Sequence, residues 1–148
     1  MNPTTSALTY STIALTRDAA LSLASAARAA SQAMGIDVSI AITDAAGHLK
    51  AFERSDRAGL LTAEVAIDKA WTAASFGVGT DVWNRILQDG QIAQLAHRPR
   101  LVAVAGGCPI VAQGQVVGAI GISGGTAQQD HDAAITALKS LGFEVAPS

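Results

Sequence analysis

Lys69 is the residue of this chain least suited to its neighbours. It stands in "AIDKAWTA", with Val65 and Ala66 before it and Ala73 and Phe76 after it at helical spacing, so the stripe around it is apolar. Two readings are open for such a lysine. Its stem can lie along the helix surface and lift the ammonium to water, or the ammonium can enter an enclosed pocket and meet an anionic ligand. Thr72 and Phe76, on the same helix, join Lys69 as candidate ligand-binding residues. Glu64 and Asp68 lie one turn apart and share a side. Such a pair is either a solvated acidic patch, matched by Arg54 or Arg57, or a general base or metal-facing pair.

The remaining reactive groups are scattered. His48, His97 and His131 show no metal-ligand spacing, and the chain has no HExxH, CxxC or CxxCH, so no metal site is expected. Each histidine reads as a surface or turn residue, although a single axial haem ligand among them is compatible with the pattern, and His131 is a candidate for proton transfer. Cys108 reads as a small buried hydrophobe, since no base or cation adjoins it to activate the thiol. His97, Arg98, Pro99 and Arg100 form a small cationic loop; solvation is its default, and carboxylate recognition the alternative. Trp71 and Trp83 are expected in the core or in a subunit interface.

Two glycine pairs complete the candidate set: Gly106-Gly107, and Gly124-Gly125 within "GAIGISGGTAQQDHD". The second resembles a nucleotide cradle, but its spacing is G-x-x-G-x-x-G-G and it closes a hairpin. A dinucleotide fingerprint needs G-x-G-x-x-G within a parallel βαβ unit. The glycines instead let the sheet accept a close neighbour and turn into the last helix. Their exposed N–H groups could still hold a carboxylate.

Composition bounds the rest. With 148 residues, 49% hydrophobic and 15% charged, the chain is expected to form one domain over residues 1–148 and to self-associate. A net charge of -2 gives no footprint for nucleic acid. No apolar run approaches the ~20 residues of a membrane span, and the N-terminus shows no secretory signal. One cysteine excludes an intrachain disulfide and suits a cytoplasmic location.

Periodicity orders the elements. A helix is expected from about Tyr10 to Met34, capped by Thr9 or Ser11 and ended by Gly35. "DVSIAIT" and "HLKAFER" form a hairpin about "DAAG". A second helix spans about Gly59 to Phe76, with an apolar stripe of Leu60, Ala63, Ile67, Ala70 and Ala74. Thr80 is expected to cap a short helix, with another around Gln91 to Ala96. "LVAVAGG", "CPIVAQ" and "QVVGAIGIS" supply three strands, and a last helix runs from near Thr126 to about Ser140. Strands grouped in hairpins make the class α+β with an antiparallel sheet.

Taken together, "VSIAITDAAGHLKAFERSD", "AEVAIDKAWTAASF" and "VAGGCPIVAQGQVVGAIGISGGTAQQD" resemble the GlcG/HbpS family of haem-degrading or haem-binding domains. The same module forms the C-terminal domain of PduO corrinoid adenosyltransferases. The resemblance covers about Leu8 to Leu141. It implies an antiparallel sheet of about five strands with helices around it, in a profilin-like or PAS-like style, and a homo-oligomer. The function expected is binding of haem, or of another anionic organic ligand with no cofactor, in a pocket between the central helix and the glycine-rich sheet. Lys69, Thr72, Phe76, Gly106, Gly107, Gly124 and Gly125 would line it. The alternative is a cofactor-independent isomerase, hydrolase or lyase acting on a small carboxylated metabolite of a catabolic pathway. There Lys69 would hold the carboxylate, and Glu64 or His131 would move the proton.

Overall fold

Helix α1 (Arg17–Ala33) opens the described part of the chain, residues 7–145 of a computed structural model. The helix starts later than its alanine pattern suggests. Its N-cap is Thr16, rather than the expected Thr9 or Ser11, and the Thr16 side chain accepts the Ala19 N–H. Gly35, with φ +71, turns the chain out of the helix in the left-handed region that glycine tolerates.

Strands β1 (Ser39–Asp44) and β2 (Leu49–Arg54) form the expected hairpin. Helix α2 (Leu60–Phe76) follows, then the short helix α3 (Thr80–Ile86) and a 3-10 turn at Ala93–His97. Strands β3 (Gly107–Ala112) and β4 (Gln115–Ser123) form a second hairpin, and helix α4 (Ala127–Ser140) closes the domain. The sheet order is β2-β1-β4-β3, antiparallel throughout.

The sheet has four strands among the described residues rather than five. Residues 101–106 leave the expected strand because their polar groups bond elsewhere: Val102 N–H donates to the Thr72 hydroxyl, and the Ala103 carbonyl accepts from Asn84. Thr80 is not the cap of α3 but its first residue, behind Gly79; its hydroxyl accepts the buried Gly107 N–H at 2.9 Å.

Two layers of helix cover the sheet. On one face Ile40, Ile42, Ile110, Ile120 and Ile122 pack with Leu23 and Ala27 of α1 and Ala134 and Leu138 of α4. On the other, Ala41 and Ala119 meet Ala66, Ala70 and Ala73 of α2. This second contact is unusually close: a side chain on Gly121 would strike the Ala66 carbonyl, and one on Gly107 the Lys69 carbonyl. Only small residues fit such an approach. The buried face of α2 is therefore Ala66, Lys69, Ala70, Thr72, Ala73 and Ala74. Of the stripe expected from Leu60, Ala70 and Ala74 lie on this face and Ile67 packs against it, whereas Leu60 itself is 93% exposed.

Candidate functional site

Lys69 is carried into the interior by that alanine face. Its Nζ donates to Asp130 Oδ2 at 3.0 Å and to the Ile122 carbonyl at 2.9 Å. Both charged side chains are almost wholly buried. Burial lowers the Lys69 pKa, and the Asp130 carboxylate offsets part of that effect. The second oxygen of Asp130 accepts the Gly125 N–H at 2.9 Å. Thr126 and Gln129 cap each other reciprocally at the start of α4, so that helix terminus is satisfied by its own chain. Gly106, with φ +128, leaves the space the pair needs: a Cβ there would stand 2.7 Å from Lys69 Nζ and 2.8 Å from Asp130 Cβ. The pair thus joins α2, β4 and α4.

The sequence-selected residues divide between this centre and the surface. Lys69, Gly106 and Gly125 meet around Asp130, and Gly107 backs directly onto α2. Gly124, with φ +144, turns the chain against the Asp37 carbonyl. Glu64 is exposed and, five positions from Lys69, projects about 140° around the helix from it. Phe76 is exposed and meets Trp83 edge to face at 5.7 Å. Trp83 is buried. His131 is half-buried, with Nδ1 3.9 Å from the Cys108 sulfur. Burial pushes the Cys108 thiol up to about 12, with Asp81 adding to the shift. Among the described residues no three His, Cys, Asp or Glu side chains converge as a metal-ligand set.

Thr72 and Asp68 have a task that spacing did not reveal. The Thr72 hydroxyl accepts the Val102 N–H at 3.0 Å and lies 3.1 Å from the Arg100 carbonyl. Asp68 accepts from Arg100 Nε at 2.9 Å, whereas the sequence suggested Arg54 or Arg57. Between them, Trp71 lies under two guanidinium groups, Arg100 at 4.7 Å and Arg98 at 5.9 Å from the ring centre. Both tryptophan and the arginine loop were visible in the sequence; that they meet was not.

Two cavities open on the described surface. One, of about 270 Å³, lies between the hairpin turn Ala45-Ala46-Gly47 and the α2 residues Trp71, Ala74 and Ser75. The other, of about 360 Å³, lies between α1 and the sheet, among Arg28, Ile36, Asp37, Glu53 and Asp56. Arg28 and Glu53 form a bidentate pair there at 2.6 Å. Lys69 lines neither.

A family model described as haem degrading protein HbpS-like matches residues 15–139. The chain is 34% identical over 111 residues to protein GlcG of Escherichia coli K12, covering 75% of this chain and 82% of that protein. It superposes on a crystal structure of a double mutant of HbpS from Streptomyces reticuli with a TM-score of 0.85 and 32% identity, over 91% of this chain and 92% of that one. A crystal structure of a PduOC–haem complex aligns with a TM-score of 0.83 and 29% identity, over 91% of this chain and all of the other. The chain shares its α+β fold with the HbpS structures and belongs to the GlcG/HbpS family.

Proposed function

We propose that this protein binds haem, or another planar anionic organic molecule, as a homo-oligomer. The observation that carries the reading is its likeness to the PduOC–haem complex along the whole of that chain. The residues present fit the ligand. Haem offers an apolar macrocycle with acidic side arms, so a site for it needs accessible apolar side chains beside cations. Phe76, Leu95 and Val104 are exposed at 77%, 42% and 48%, and Arg98 and Arg100 lie in the same stretch of chain as Leu95 and Val104.

In this reading the Lys69 centre supports the site. Direct contact of Lys69 with a ligand would require its pair with Asp130 to open. The antiparallel pairing of β4 with both its neighbours argues against the parallel βαβ crevice of a dinucleotide site. No helix among the described residues is long and apolar enough to cross a membrane. A cytoplasmic location suits the single free thiol.

Titration of the purified protein with hemin is the test. A shifted Soret band with saturable stoichiometry and a raised melting temperature is expected. Free-hemin spectra at every ratio, with an unchanged melting temperature, would overturn the reading.

A further inference from the structure

The segment from Arg98 to Val102 is held in a conformation that its own residues do not favour. Arg100 has φ +72, in the left-handed region where a non-glycine residue is strained and persists only when its surroundings over-determine it. One turn of α2 supplies that determination. Thr72 fixes the backbone on both sides of Leu101, Asp68 holds Arg100 Nε, and Trp71 lies under the guanidinium.

The result is two cations over one indole. Arg98 and Arg100 repel each other, and Asp68 is the one carboxylate paired with them among the described residues. Among the described residues Arg98 pairs with no acid, and its guanidinium donates a long 3.3 Å bond to the Pro99 carbonyl. Among the described residues one positive charge is therefore uncompensated, and Arg100 is paired through Nε alone. Trp71 also forms a wall of the roughly 270 Å³ groove with Ala45, Ala46, Gly47, Ala74 and Ser75. Gly47 admits the indole: a Cβ there would come within 2.9 Å of Trp71 Cδ1. Apolar groove, aromatic wall and surplus guanidinium donors adjoin at a single side chain.

We propose that Trp71, Arg98 and Arg100 anchor the carboxylates of a planar conjugated ligand, whose apolar edge enters the groove between the hairpin turn and α2. The proposal rests on the haem-binding reading and gives that site its acid-recognising side. Arginine suits the task because its planar fork grips a carboxylate bidentately.

Hemin and hemin dimethyl ester, whose acid groups are blocked, separate the possibilities. Wild type, Arg98→Ala, Arg98→Lys and Arg100→Ala are titrated by Soret absorbance, with circular dichroism to establish folding. Hemin affinity should fall about tenfold in each alanine variant, the scale of one charge-assisted hydrogen bond. Arg98→Lys should recover part of that loss, and the ester should bind all forms alike. Wild-type affinity for hemin in both alanine variants would overturn the anchor while leaving haem binding intact. Failure of the wild type itself to bind hemin would overturn both. Arg98 is exposed and outside the packed core, so its variants remain informative if Arg100→Ala disturbs the loop.

Discussion

Lys69 and Asp130 stand 61 residues apart in sequence and 3.0 Å apart at Nζ and Oδ2, with both side chains excluded from water. The anion that the buried lysine meets in this structure is internal. Such a pair adds little net stability against an apolar replacement, but losing one member leaves the other buried and unpaired. Lys69→Ala or Asp130→Ala should each lower unfolding free energy by about 3–5 kcal/mol. The double variant Lys69→Met, Asp130→Leu should lose markedly less. Urea titrations followed by circular dichroism check this; additive losses in the double variant would show that the pair is not coupled.

Cys108 gives a pH signature. Its thiol titrates at about 12 in the folded state against 9.0 ordinarily, so between those values the folded form holds more protons than the unfolded one. The contribution is constant below the lower value, and stability falls as pH rises through the window. Wild type should therefore lose stability relative to Cys108→Ala between about pH 9 and 12. At pH 8 a disulfide reagent should label the thiol only on unfolding. Rapid labelling of native protein would contradict the burial.

Gly121 tests the close approach of α2 to the sheet. A methyl group there meets the Ala66 backbone, which cannot swing aside as a flexible side chain could. Gly121→Ala should cost about 1–3 kcal/mol or more through overpacking. Gly90→Ala, in open space, should change stability by no more than about 0.5 kcal/mol. Equal melting temperatures for the two variants would refute the packing argument.

Thr72 links the α2 scaffold to the arginine loop. Thr72→Val keeps the shape but removes the acceptor of the Val102 N–H, at a cost of about 1–3 kcal/mol. Hemin affinity should fall with it as Arg100 loses its support. Thr72→Ser restores the hydroxyl and should recover both stability and affinity. A valine variant that binds hemin like wild type would separate Thr72 from the ligand site.

Self-association is expected at the outer face of α2. Leu60 and Leu61 are 93% and 70% exposed at its start, a cost that contact with a second copy would remove. Light scattering should give a multiple of the 15.0 kDa chain mass, and Leu60→Glu with Leu61→Glu should shift it toward that mass. A monomer at micromolar wild-type concentration would refute the homo-oligomer.

The sequence by itself determined the elements whose signals are local. Alternation in "DVSIAIT" and "HLKAFER" marks the first hairpin, Gly35 and Gly77 end α1 and α2 at φ +71 and +66, and Thr126 starts α4 through its capping box. These depend on residues within about four positions, where propensity and hydrogen bonding act without the rest of the chain. The family resemblance was legible for the same reason, being carried by contiguous motifs. Tertiary structure decided how the buried face of α2 is bounded. Ala70 and Ala74 of the expected stripe are in it, but close contact with Gly107 and Gly121 brings in Ala66, Lys69 and Ala73 and leaves Leu60 outside. It kept residues 101–106 out of the sheet by offering their backbone Thr72 and Asn84 as partners. It also chose Asp130 for Lys69 and placed two arginines over Trp71. Partner identity across such separations is set by how whole elements pack, and side-chain spacing within one helix carries no record of it.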